Sequence, residues 1–322
     1  MQQKIFDQLF TGGFVSQQQV DDITQFEKTK PVSLHRDLRV LLYAGILLLT
    51  SGLSIFIYKN IDSIGHLTII ILTGIGCLAC LGWCLINGWP FSTLKIQSPS
   101  VLFDYILLLG CLLLLTFVGY IQFRYQVFGS GWRLASFTTM ILLFLSAYYF
   151  DHLGVLSLAI TNLATWAGLV VTPLQILQSN DFDNGALIYT GMVLGAGLAL
   201  ISFVSIAANI KNHFAFTYKN FGVHILLVSC LAGMLHFDYV YLWFFIVLAP
   251  ATILFFTAIT ERNFYFIVVT ILYAYIALCT VVFHAFGDFT ESHIYIILIY
   301  LILSGIGLIR ALMYYNKLLQ TK

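Results

Sequence analysis

Apolar stretches long enough to cross a bilayer alternate with short polar segments from about Leu38 to Tyr315. A transmembrane helix needs about 20 mostly apolar residues. Stretches of that kind lie at approximately 38–58, 67–86, 102–121, 132–150, 153–172, 186–208, 220–236, 239–259, 264–286 and 294–315. Their spacing predicts an all-α, polytopic transmembrane bundle of about ten spans. The fourth and fifth stretches are divided by Asp151-His152 alone, the seventh is the shortest, and the eighth contains Pro250.

The segment before the first span has a different pattern. Ile5, Phe6, Leu9 and Phe10 form an apolar stripe that Gly12-Gly13 interrupts. Ser16 followed by Gln19 fits a capping box, with Val15 and Val20 at the staple positions. Val20, Ile23 and Phe26 then share one face of a second short helix that ends before Pro31. Residues 1–37 are therefore expected to form a small cytoplasmic helical hairpin, and residues 38–322 the membrane domain. Phe103-Asp104-Tyr105 opens the third span and Phe237-Asp238-Tyr239 the eighth. That places them equivalently in two five-helix halves, about 38–172 and 186–315, of opposite orientation.

Composition supports this division. Hydrophobic residues make up 60% of the chain and charged residues 9%, against roughly 25% charged in a soluble domain; lipid can solvate such a surface and water cannot. If the N-terminus is inside, the inner segments carry Lys4, Lys28, Lys30, Arg36, Arg39, Lys95, Lys211, Lys219, Arg262, Arg310, Lys317 and Lys322. The outer segments carry Lys59, Arg124 and Arg133. The bias obeys the positive-inside rule and predicts both termini in the cytoplasm. The first apolar run starts about forty residues in, so it is expected to stay as a signal-anchor span. A net charge of +1 without a long Lys/Arg run offers no track for nucleic acid. All six cysteines fall in apolar spans and are expected to be free thiols.

A resemblance emerges from the N-terminal third. Gly13-Phe14-Val15-Ser16-Gln17-Gln18-Gln19 leads into a basic entry to span one. That span carries Gly45 and Gly52, and Asn60-Ile61-Asp62-Ser63-Ile64 follows it. Over roughly residues 5–86 the chain resembles a family of predicted multi-pass bacterial membrane proteins known only as a domain of unknown function. Members usually show Asn-Trp after span one, and Ile61 stands at the Trp position here. The resemblance implies a multi-pass protein of the bacterial inner (cytoplasmic) membrane and supplies no activity.

Candidate chemistry is sparse. No Asp, Glu, Lys or Arg lies near the middle of any span, which argues against a pump driven through buried carboxylates. Thr161, Asn162 and Thr165 form a polar sector in span five, and Pro250 frees the carbonyl of Ile246 in span eight. Residues of this kind tie helices together, or line a substrate cavity at a broken helix. Gly191, Gly195 and Gly197, with Gly74 and Gly76 and with Gly305 and Gly307, suit close helix approach. Cys77, Cys80 and Cys84 share a face and fit small core residues better than a metal site. The outer face receives Asp62, His66, His236, Asp238, Asp288, Glu291 and His293, with His284 just beneath. Imidazoles and carboxylates can ligate divalent ions, but no zinc-protease or calcium-loop spacing is present. No catalytic residue, metal ligand set or cofactor is assigned from the sequence.

Three functional readings follow. The leading one is a non-enzymatic carrier or binder of an apolar or amphipathic molecule, with a lipid or another amphipathic ligand as its partner. The second is a membrane scaffold or assembly factor that meets a protein partner through residues 1–30. The third is a membrane enzyme built on the outer-face histidines and acids.

Overall fold

The computed structural model describes residues 65–129, 131–171, 185–286 and 291–321, with isolated helical positions at Leu48, Gly52, Ile55 and Lys59. The hairpin expected at residues 1–37 lies outside the described residues. So does most of the first span. Nine α-helices are complete among the described residues: α1 (His66–Asn87), α2 (Val101–Tyr125), α3 (Arg133–Phe150), α4 (Leu153–Val171), α5 (Gly185–Ala207), α6 (Ala215–His236), α7 (Val240–Thr260), α8 (Phe264–Phe286) and α9 (Glu291–Thr321). They match the last nine predicted spans one for one, and the described residues contain no strand. Eight are long and apolar enough to cross a membrane, and α4 is an apolar helix of 19 residues.

Local chemistry explains where the helices stop. Ser100 caps α2 by accepting the Phe103 N–H at 3.2 Å. At the other end Gln126 turns left-handed (φ 50°) and returns its N–H to Gln122. The Asp151-His152 turn is as tight as the sequence suggests. Asp151 is left-handed (φ 58°), and the N–H groups of Asp151 and His152 both return to the Ala147 carbonyl. His152 then starts α4, because its Nδ1 accepts the Val155 N–H at 3.1 Å. Arg262 (φ 54°) makes the corresponding reversal between α7 and α8. Short reversals of this kind hold successive helices antiparallel.

Glycine sets the closest helix pair. A Cβ on Gly195 of α5 would collide with the backbone of Leu226 in α6, and one on Gly222 would lie 2.7 Å from the Ala199 nitrogen. Small residues thus bring the two backbones together without a hydrophobic drive. Gly191 faces Ser229 in the same seam. By contrast, nothing lies within 4 Å of a Cβ built on Gly197, Gly305 or Gly307. The close approach expected there has no counterpart among the described residues. Leu107, Leu143, Leu156, Ile160, Leu198 and Phe214 fill a buried core between α2 and α6. Outward positions such as Leu78, Val193, Leu235 and Ile253 remain exposed, as suits side chains that face lipid.

Candidate functional site

The polar residues of span five are occupied by their neighbours. Asn162 receives the Ser136 hydroxyl on Oδ1 at 2.7 Å and donates from Nδ2 to Thr139 Oγ1 at 2.9 Å. Thr139 in turn donates to the Ala135 carbonyl. Asn162 is thereby a tie between α4 and α3. Thr161 and Thr165 are exposed and donate back to the carbonyls of Ser157 and Thr161. Pro250 lies elsewhere. It lines a groove between α5, α6 and α7 whose lining does not include Thr161, Asn162 or Thr165.

That groove has a volume of about 440 Å³. Its walls are apolar, with Ala196, Leu200, Phe203, Val223, Ile253 and Leu254 among them. Leu200, Phe203 and Ile253 are each at least 65% exposed, so the groove opens sideways, toward the surroundings of the bundle. Pro250 sits halfway along α7, whereas Glu261 caps its end. Eleven residues at 1.5 Å rise separate them by about 16 Å, roughly half of a ~30 Å hydrocarbon core. The groove therefore spans one leaflet's depth. At its end Lys219 of α6 forms an ion pair with Glu261 at 2.5 Å. Lys219 is mostly covered and lies 4.8 Å from the Phe266 ring centroid, while Glu261 is 42% exposed.

A second charged group lies at the same end of the bundle, and it is closed. Asp151 Oδ2 accepts the Ile96 N–H at 2.6 Å, and Oδ1 accepts His213 Nε2 at 2.6 Å. The Lys211 ammonium approaches Oδ1 at 2.9 Å as a charge contact without a directed hydrogen bond. Lys211 is 1% exposed and Asp151 2%. The rings of Phe91 and Phe214 stand 5.6 and 5.9 Å from the ammonium and supply the weaker attraction of aromatic faces. The Lys211 N–H also donates to the Thr93 carbonyl. The loops before α2 and α6 are thus fastened to the α3–α4 turn. Nearby, His152 Nε2 lies 3.7 Å from Asp104, which also accepts the Ser98 hydroxyl. Burial pushes the His152 imidazole below its ordinary pKa, and the Asp104 charge opposes part of that shift.

Of the predicted histidines and acids, His236, Asp238 and His284 lie at the opposite end among the described residues. His236 packs edge-on against Phe237, Asp238 is exposed, and His284 is exposed with its ring 6.0 Å from that of Tyr241. His66 opens α1. Asp62 and Asp288 lie outside the described residues, as do the side chains of Glu291 and His293. No group of three potential metal ligands occurs among the described residues. Gln122 organises this end instead: it is buried, donates to the carbonyls of Gly129 and Gly131, and accepts the Phe128 N–H.

Residues 7–156 match the model of a family described as a predicted membrane protein, DUF2157. The match begins within the N-terminal segment and ends inside α4, farther along than the residues that first suggest the likeness. It includes Asp104, Asp151 and His152. The groove between α5, α6 and α7 lies beyond it. No curated protein and no solved structure matches the chain. The helices and the match together establish a multi-pass helical membrane protein that is similar to that family over residues 7–156.

Two features have no single marker in the sequence. Asp151 meets Lys211 and His213 only through the packing of two separate connections. Lys219 and Glu261, however, stand at nearly equal distances on either side of the α6–α7 turn. Reflecting the chain about that turn brings them to about one helical turn of each other, a usable signal.

Proposed function

We propose that the protein binds, and carries within the bilayer, an amphipathic molecule whose apolar part lies in the groove between α5, α6 and α7. One observation carries this reading: a sideways-opening apolar groove of one-leaflet depth ends at an ion pair. Its volume falls within the ~300–1,000 Å³ range of ligand sites, and such sites combine apolar walls with few polar groups. Pro250 lies inside the continuous helix α7 and offers no N–H there, and backbone carbonyls freed near the midplane accompany substrate sites in many transporters. The positive-inside bias puts Lys219 and Glu261 on the cytoplasmic side, so the groove opens to the inner leaflet. The family resemblance supports a bacterial cytoplasmic membrane as the setting.

The test is extraction into polymer nanodiscs followed by mass spectrometry of co-purifying lipids. Ala196 is exposed and lines the groove, so Ala196→Trp fills it from the lipid side without entering the glycine seam. Wild type should retain a stoichiometric amphipathic molecule and Ala196→Trp should lose it. Equal retention by the two proteins would overturn the assignment.

A further inference from the structure

The paired charges at the end of the groove specify more than an amphipathic ligand. We propose that the ligand is a phospholipid whose headgroup carries both a phosphate and a primary ammonium, with Lys219 binding the phosphate and Glu261 the ammonium. This rests on the groove being a lipid site, as argued above. Both side chains belong to the groove lining, Lys219 on α6 and Glu261 at the end of α7. Their ammonium and carboxylate form an ion pair in the ligand-free state. A headgroup of opposite charge order exchanges that single pair for two, and neither protein charge is left unmatched.

A purely anionic headgroup fits worse. Its phosphate would satisfy Lys219 while facing Glu261, and juxtaposed like charges oppose binding. A headgroup without charge leaves the existing pair intact and gains nothing from it. The mobility of the two partners also differs in the required sense. Lys219 is mostly covered and held beside Phe266, whereas Glu261 is 42% exposed and can turn toward an arriving ammonium. The depth is consistent too, because a lipid anchored at Glu261 reaches about 16 Å toward Pro250 with its chains.

Native mass spectrometry of the full-length protein, titrated with equimolar phosphatidylethanolamine and phosphatidylglycerol of identical chains, tests this directly. Wild type should favour phosphatidylethanolamine by about fivefold, the scale of one exposed charge pair. Glu261→Gln should bring the ratio close to one by removing the repulsion of the anionic lipid. Equal binding of the two lipids by wild type, or a preference for phosphatidylglycerol, would overturn the headgroup assignment. A preference that survives Glu261→Gln would do the same. These outcomes leave the groove itself intact so long as Ala196→Trp still abolishes binding of both lipids. Binding unchanged in Ala196→Trp would instead overturn the groove reading on which the headgroup assignment rests.

Discussion

Two lysine–carboxylate pairs occupy the same end of the bundle and have opposite characters. Lys211 and Asp151 are sealed from solvent, with His213 and the Ile96 N–H completing the carboxylate's partners. Lys219 and Glu261 have one covered and one exposed partner, and they border an open groove. Each pair sets an ammonium against a carboxylate. Burial separates them: a sealed pair cannot exchange partners without exposing an unmatched charge, whereas a pair at a groove mouth can. The first kind fixes loops in place, and the second kind is available to a ligand.

The largest effect should come from breaking the sealed pair. Asp151→Ala leaves Lys211 buried and unmatched, and it also removes the acceptor for Ile96. Loss of one partner of a buried pair costs about 3–5 kcal/mol. Thermal unfolding in micelles, followed by circular dichroism, should show a large fall in midpoint. A small fall would mean that water reaches Lys211 and that the two pairs are not so different.

The next effect concerns the back of the groove. Gly195→Ala places a methyl group against the Leu226 backbone, and overpacking of this kind costs about 1–3 kcal/mol. The same change should separate α5 from α6 and alter lipid retention. Gly197→Ala is the control, since a Cβ there meets nothing within 4 Å. Equal melting temperatures for the two variants would remove the glycine seam from the account.

Lys219→Met should have a smaller effect on stability. A partly exposed pair contributes about 0–1 kcal/mol. If Lys219→Met lowers the melting midpoint as much as Asp151→Ala, the groove pair is structural and the contrast between the two sites disappears.

How legible these features are from sequence depends on how local their causes are. Hydropathy is a property of consecutive residues, so nine spans are readable to within a few residues. The break at Asp151-His152 is readable because two polar residues interrupt a long apolar run. Asn162 stands out as polar, but sequence alone cannot say that Ser136 and Thr139 occupy both ends of its amide. Pro250 marks a wall of the groove, yet the groove also needs Ala196 and Val223 from two other helices. Lys211 counts only as an inside charge in the topology, and its burial depends on Phe91 and Phe214 closing over it. Pairing across a bundle is decided by helix rotation, which an evenly apolar helix does not encode strongly.

The smallest effect would place a third group on the same scale. His152 sits beside Asp104 at an intermediate distance, 3.7 Å, and its Nδ1 must stay unprotonated to accept the Val155 N–H. Burial lowers its folded-state pKa, so the unfolded chain takes up the proton first as pH falls. The stability from neutral His152 is complete above the ordinary imidazole value of about 6.5. It declines as pH drops below that value toward the folded-state pKa. His152→Asn keeps an N-cap acceptor but cannot titrate in this range. Its melting midpoint should therefore fall less than that of wild type between about pH 6.5 and 5.5. Parallel falls would show that the capping nitrogen is not what acid removes, and His152 would then belong with the open pair rather than with the sealed one.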